Sequence, residues 1–440
     1  MSAALEGLAL NPAAPVDILL RLLDSGDGPV HSALCAQRRE IPEEVVDAIV
    51  AHPLPRVRGG LARNAQVSGE LRGRVVDDED WFVRLGLARG PRREAWPRHL
   101  PDGVIDRMYA TYEAEALQEL SFSRQVPGRL LRASAEREPV EDDAEEMERR
   151  LRALPGTRSH AHSHILVNCR LSRAVVDELL LSREDDDLWC LAHNYSTPPD
   201  VVAHVARVGD PTARLAVARR ADLPRDLVEL LARDPDPAVR TAVSVRPELT
   251  EDERAAIDYV VEPLDLVELG EDPYRAPLSH ARSAHPLLRR RVAHNPELPD
   301  ELVALLAGDD DLGVRVLLAQ YHPKAAPQLL LRCYLEYEGR NRNRLLGLPQ
   351  FPTTGLGVRF GSAADPAVRL LATHDPALDP AVAVALTRDA DPRIRAAAAR
   401  NPTLPRRRLH QLLEDEELSK AAAANPALPV ETMYRLLAEA

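Results

Sequence analysis

The sequence predicts an all-α protein assembled as a stack of short two-helix repeats, and three observations predict it. The first is recurrence. "DPDPAVRTAVSVRPEL" at 234–249 returns as "DPAVRLLATHDPAL" at 365–378 and as "DADPRIRAAAARNPTL" at 389–404. The second is a fixed period. Aligned on the asparagine of "NPELP", units begin at 11, 38, 64, 168, 194, 220, 246, 295, 321, 375, 401 and 425. The steps 38 to 64, 168 to 194, 194 to 220, 220 to 246, 295 to 321 and 375 to 401 are each 26 residues, and the gap from 64 to 168 is four such steps. A constant step of this length marks a stacked-repeat protein. The third is composition. Hydrophobic residues make up 45% of the 440 but aromatic ones only 4%, so the core is built from Leu, Val and Ala in thin helical layers. Strand-type alternation is absent.

Within a unit the first helix opens at a proline, as at Pro224, which reads as a first helical position because proline loses nothing there by lacking N–H. Val228 and Leu231 then share a face, and Leu19/Leu22, Val46/Ile49, Val202/Val205, Val303/Leu306 and Leu409/Leu412 repeat that spacing. The second helix opens on a capping aspartate followed by proline: Asp210, Asp236, Asp365 and Asp391 each precede a proline, and an aspartate there accepts a free backbone N–H. Val239 and Ala242 face inward, the alanine allowing close approach of neighbours. One unit cannot bury these faces alone, whereas a stack can.

The bulk properties narrow the function. A net charge of −13 disfavours a duplex nucleic-acid binder. Cys35, Cys169, Cys190 and Cys333 have no metal-like spacing and fit a reducing compartment. The start, "MSAALEGLALNPAAP", has no basic segment followed by an apolar run, and no stretch reaches eighteen uninterrupted apolar residues. A cytoplasmic protein is expected. No GxSxG, P-loop, HExxH or GxGxxG motif occurs, so no enzyme and no cofactor are expected.

The pattern "NPxLPxxxLxxLLxDxDPxVRxAxAx" resembles the leucine-rich repeat variant, and its "DPAVR" half resembles a shortened HEAT repeat. The resemblance covers roughly 11–89, 158–258 and 285–440, most clearly in "NPELPDELVALLAGDDDLGVRVLLAQ". It implies a right-handed superhelix of α-helices alternating with short, often 3₁₀, helices. Some members carry a Cys-rich iron–sulfur segment ahead of the repeats; the ten residues before Asn11 contain no cysteine, so no cluster is carried over. The expected organisation is one continuous solenoid: repeats at 1–89, an irregular segment with an acidic run at 90–157, repeats at 158–258, an irregular insertion at 259–284, repeats at 285–332, an aromatic and basic loop at 333–363, and repeats at 364–440.

An arginine follows the inward Val in unit after unit: Arg58, Arg84, Arg214, Arg240, Arg315, Arg369 and Arg395. These form either a positive track for an anionic ligand or a structural ladder pairing with the capping aspartates. The recurrence of Asp beside Arg favours the ladder. In "SHAHSHILVN", His160 and His164 lie at i, i+4, a spacing able to hold a metal, although His162 and His164 fall on ordinary repeat positions.

Individuality lies where the repeat breaks. Rings gather at Trp81, Phe82, Trp96, Tyr109, Tyr112 and Phe122, and again at Tyr321, Tyr334, Tyr337, Phe351 and Phe360. Rings with arginines nearby are what binding hot spots favour. Tyr334, Tyr337 and Phe351 with Arg340, Arg342 and Arg344 are therefore the candidate contacts for a protein or peptide partner, though rings also patch a core where regular packing fails. The expected function is a non-enzymatic scaffold binding such a partner through its concave face and the 333–363 insertion. The alternatives are a nucleic-acid-binding HEAT-like protein, a base-repair glycosylase among them, and a metal-binding protein using the His160 cluster. The last unit ends at "MYRLLAEA" without a second helix, which leaves Met433, Tyr434 and Leu437 short of cover and end-to-end association open.

Overall fold

The computed structural model describes residues 2–439 apart from 92–97, 122, 124, 128–129, 131–142, 155–159, 183–184, 262–275 and 340. Among the described residues there are helices of four to ten residues joined by tight turns and no strand. Two compact units are present, Met1–Ser134 together with Phe351–Ala440, and Ala135–Gln350. Each is an array of paired helices in which neighbours touch neighbours.

The pairing follows from the sequence. First helices such as Arg225–Leu231 bury Leu227, Val228 and Leu231, and second helices such as Pro237–Ser244 bury Val239 and Val243. The proline before a first helix is its N-cap and not its first residue: Pro224 has ψ 151° and the helix begins at Arg225. Its extended ψ turns the chain into the helix while its own carbonyl already accepts from the first turn. The second helices are capped as their sequences require. Asp210 accepts from Ala213 N–H, Asp236 from Ala238, Asp365 from Ala367 and Asp391 from Arg393.

The repeated asparagine joins one unit to the next. Asn64 is fully buried, and its Nδ2 donates to the carbonyls of Cys35 and Arg38, both at 3.0 Å, while its Oδ1 accepts from Gln66 N–H at 2.8 Å. The last carbonyls of a helix have no partner within it, so each asparagine satisfies the end of the preceding second helix. Asn194 does so to Leu166 and Cys169, Asn401 to Thr373 and Asp375, and Asn425 to Ala399 and Asn401. Arginine substitutes where the sequence lacks asparagine. Arg38 donates to Ala9 and Asn11 carbonyls, Arg220 to Ala192 and Asn194, and Arg246 to Ala218 and Arg220. One start is shifted from expectation. The helix Leu312–Tyr321 runs to ten residues, so His322 and not Tyr321 makes the turn, its Nδ1 accepting from Lys324 N–H at 3.1 Å.

The chain ends correct a second expectation at Met433, while Tyr434 stays 37% exposed. Met433 is fully buried, and Tyr434 donates its hydroxyl to Asp17 at 2.8 Å. The cover comes from the N-terminal helix Ser2–Leu10, which packs on Ser419–Ala423 and on the last helix, Val430–Ala438. It stands where the second helix of the last repeat would stand. Asn11 completes the pattern, donating to the carbonyls of Ala423 at 2.8 Å and Asn425 at 2.7 Å. In this unit the repeat order therefore runs through Asp375, Asn401, Asn425, Asn11, Arg38 and Asn64 without a break.

Candidate functional site

The recurring arginines are spent on the fold. In every case one guanidinium nitrogen donates to carbonyls five or six residues back, in the turn before its own helix. Arg58 binds His52 and Pro53, Arg84 binds Asp78 and Glu79, Arg240 binds Asp234 and Pro235, Arg315 binds Asp309 and Asp310, Arg369 binds Ala363 and Ala364, Arg395 binds Asp389 and Ala390, and Arg214 binds Gly209. The other nitrogens reach a carboxylate of the next repeat. Arg58 pairs with Asp78, Arg84 with Glu113, Arg214 with Asp234, Arg240 with Asp258, Arg315 with Glu336, Arg369 with Asp389 and Arg395 with Glu417. Arg289, hidden from sequence reasoning inside "RRR", does the same with Asp309.

The acid involved is not the capping one. Asp234 and Asp389 stand two residues before the caps Asp236 and Asp391, and each also accepts the N–H of its cap through Oδ1. The sequence signal is an acidic pair, "DPDP", "DDDL" or "DADP", whose first member takes arginine and whose second starts the helix. Hydrogen bonding to Arg369 holds the Asp389 carboxyl below its ordinary range. At Asp234 burial acts to raise the carboxyl, but the Arg214 hydrogen bond, the Asp236 N–H and the Arg214 and Arg240 charges together pull it lower.

The ring cluster proposed from sequence lies inside the protein. Tyr334 is fully buried, and Tyr337 and Phe351 are 6% and 5% exposed. Leu329, Leu330, Cys333 and Tyr334 form one buried face of the helix Pro327–Glu336; the rings fill core volume that regular repeats would supply. Arg342 lies 4.5 Å over the Tyr334 ring and donates to its carbonyl at 2.6 Å, and Arg344 reaches the Tyr321 hydroxyl at 3.4 Å. Arg340, Trp96 and Phe122 lie outside the described residues. So do the side chains of His160 and His164, whose backbone belongs to the helix His160–Asn168. The described residues contain no group of three or more metal-ligating side chains. No described helix is long and apolar enough to cross a membrane. All four cysteines are buried, and burial pushes the Cys35 and Cys333 thiols up to about 12.

Among the described residues, an exposed ring and unpaired cations lie along the second helices. Between Pro55–Ala62 and Trp81–Arg89 runs an open groove of about 440 Å³. Arg56, Gly59 and Arg63 form one wall and Phe82, Leu85 and Arg89 the other. The spacing is helical: i, i+3 and i+7 put each set on one face. Phe82 is 73% exposed and meets Trp81 edge to face at 5.0 Å; it is not a core ring. Arg63 Nε donates to Gly59 O at 3.1 Å, which lays its side chain along the floor. Arg89 pairs with Glu119 at 3.0 Å at an exposed position. Arg56 and Arg63 have no carboxylate partner among the described residues, and Asp80 is occupied in capping its helix at Phe82 N–H.

The same register position, the residue before the rung asparagine, carries Arg400. Arg400 is exposed, and burial of its surroundings alone pulls its pKa down. His374, one repeat earlier, is lowered by burial and then by the charge of Arg39. In the other unit this row shows Trp189, 38% exposed, packed at 4.1 Å on His193, with Tyr195 nearby in sequence and 50% exposed.

No known family's sequence model matches the chain, and no curated protein matches it.

Proposed function

We propose that the chain is a right-handed α-solenoid of the leucine-rich-repeat-variant kind, acting as a non-enzymatic scaffold that holds an acidic segment of a protein partner on its concave face. The observation that carries this reading is the groove between Pro55–Ala62 and Trp81–Arg89. It presents exposed Phe82 beside Arg56 and Arg63, two cations without carboxylate partners among the described residues, in a chain whose ladder arginines are all neutralised. Second helices pack on one another more closely than first helices do, which puts their row on the inside of a bend, as in solenoids with a concave binding surface. Guanidinium groups bind carboxylates in two-pronged fashion, and a ring such as Phe82 takes an apolar side chain of the same segment. Within the 333–363 insertion Tyr334, Tyr337 and Phe351 are buried, so these three rings serve packing and the contact is assigned to the groove.

The test is fluorescence anisotropy of a fluorescein-labelled peptide of six glutamates with the full chain. Binding that weakens as salt rises is expected, because exposed charges are screened within about 10 Å at 0.1 M salt. R56E/R63E should remove it, and F82A should weaken a variant peptide bearing one leucine. Absence of binding at 20 mM salt, or full binding by R56E/R63E, overturns the reading.

A further inference from the structure

In Met1–Ser134 with Phe351–Ala440, the row of second helices runs across the point where the two chain ends meet. Asn425 is seated on Ala399 and Asn401, Asn11 on Ala423 and Asn425, Arg38 on Ala9 and Asn11, and Asn64 on Cys35 and Arg38. The Asn401 and Asn64 seats follow residues of similar backbone conformation. Arg400 caps Pro392–Ala399 with φ −86° and ψ −11°, and Arg63 caps Pro55–Ala62 with φ −102° and ψ 5°. Both side chains are exposed on the second-helix row, one from each half of the chain. Between them in repeat order Arg39, exposed and with no carboxylate partner among the described residues, follows the rung residue Arg38, and its charge is felt at His374. Three acids of this stretch are engaged, Glu6 with Lys420 at 2.5 Å, Asp391 with Arg393 at 2.6 Å and Glu417 with Arg395 at 2.6 Å, while Glu40 stands exposed beside Arg39.

We propose that the acidic segment taken up by the Arg56/Arg63 groove continues over Arg39 to Arg400, so that one ligand spans both chain ends and its binding is coupled to docking of the N-terminal helix. This rests on the function proposed above and adds a footprint and a consequence to it. The footprint has a length. From the Asn401 rung to the Asn64 rung are the steps 401 to 425, 425 to 11, 11 to 38 and 38 to 64. Packed helices lie about 9 Å apart, so the path along the inside of the bend is at most about 36 Å. An extended chain advances about 3.3 Å per residue, and about eleven residues cover it. The consequence follows from linkage. A ligand that touches Arg400 and Arg63 together binds the docked arrangement only, and so stabilises it.

The experiment compares fluorescein-labelled peptides of six and twelve glutamates on the full chain, with amide exchange of residues 2–10 measured with and without peptide. The twelve-residue peptide should bind at least tenfold tighter and slow exchange in the N-terminal helix at least tenfold; the six-residue one should do neither. R39E/R400E should reduce the longer peptide to the affinity of the shorter, with R39Q/R400Q as the milder replacement and circular dichroism checking that each is folded. R407E, on a first helix, should lower the longer peptide's affinity less than twofold. If R39E/R400E leaves the longer peptide unaffected while R56E/R63E abolishes both, the spanning footprint is overturned and the groove stands. If neither peptide binds, the groove reading itself fails.

Discussion

Asn11 donates its side-chain amide to the backbone carbonyl of Asn425 at 2.7 Å, although 414 residues separate them. The bond has the geometry by which Asn425 itself holds Asn401, at 2.8 Å. The protein therefore treats its own N-terminal helix as one more repeat. The hydrophobic consequence is that Met433, on the last first-type helix, is fully buried without a following helix in sequence.

The first prediction concerns this rung. Asn11→Ala leaves the carbonyls of Ala423 and Asn425 and the N–H of Ala13 without their side-chain partner. An unsatisfied buried polar group costs about 1–3 kcal/mol, and partial hydration through the gap offsets some of this. A loss of about 3 kcal/mol is expected, read as a lower midpoint in urea unfolding. Asn194→Ala, in the other unit, should lose a similar amount through Leu166 and Cys169. An unchanged midpoint for both variants would show that the rungs are passive.

The second prediction ranks the two aspartates of one acidic pair. Asp234 and Arg214 meet at 2.7 and 2.9 Å with side-chain exposures of 5% and 14%. Removing one partner of a buried pair costs about 3–5 kcal/mol, whereas losing a capping side chain costs about 1 kcal/mol. Asp234→Ala should therefore destabilise more than Asp236→Ala, by about 2 kcal/mol or more in paired denaturation curves. The reverse order would mean that Arg214 finds another acceptor.

Much of this architecture was legible in the sequence, and the limits have physical causes. The period, the capping aspartates and the inward Val and Leu positions depend on local chemistry, which each repeat states again. Arg38 and Arg220 were aligned correctly because spacing survives even when arginine replaces asparagine. The role of the N-terminal helix was not legible, since no local pattern shows that residue 11 follows residue 425. Which rings are exposed was not legible for a related reason. Tyr334 and Phe82 both look like ring-plus-arginine clusters, and only packing tells that one is fully buried and the other 73% exposed. Arg63 and Arg89 of the groove carry no sequence signal because they occupy a variable position, which elsewhere holds Arg400, His193, Val245 and Ala424.

The third prediction is a pH dependence. His285 is 2% exposed, its Nε2 is 2.9 Å from Ser244 Oγ, and its Nδ1 accepts from Leu287 N–H. Tyr259 stacks on its ring at 3.9 Å. Burial, aided by the Arg254, Arg291 and Arg289 charges and opposed by Glu251, lowers its pKa from 6.5 to about 4. The folded value lies below the unfolded one, so the unfolded chain takes up the proton first. Stability is full above pH 6.5, falls as pH drops from 6.5 towards 4, and then levels. At about 1.4 kcal/mol per unit the total loss is about 3 kcal/mol. Urea midpoints between pH 7 and pH 4 should show this decline, and His285→Asn, which keeps the cap acceptor without titrating there, should flatten it. A parallel decline in the variant would assign the effect elsewhere.

The fourth prediction tests how tightly the chain ends close. Gly7 sits against Ser419–Ala423 so closely that a Cβ would fall 2.1 Å from the Lys420 carbonyl oxygen and 2.9 Å from the Ala423 Cβ. The obstacle is backbone, which cannot swing aside as a side chain could, so the helix must lift. Overpacking of this kind costs about 1–3 kcal/mol, and a lifted helix also loses the Lys420–Glu6 pair and the Asn11 bonds. Gly7→Ala should therefore accelerate amide exchange in residues 2–10 and in the last helix, Val430–Ala438, which the lifted helix uncovers. Gly28→Ala is the control, because no neighbouring atom lies within 4 Å of its added Cβ. It should leave exchange unchanged. Equal protection in both variants would mean that the N-terminal helix adapts to the intrusion, and that closure rests on the Asn11 rung rather than on helix contact.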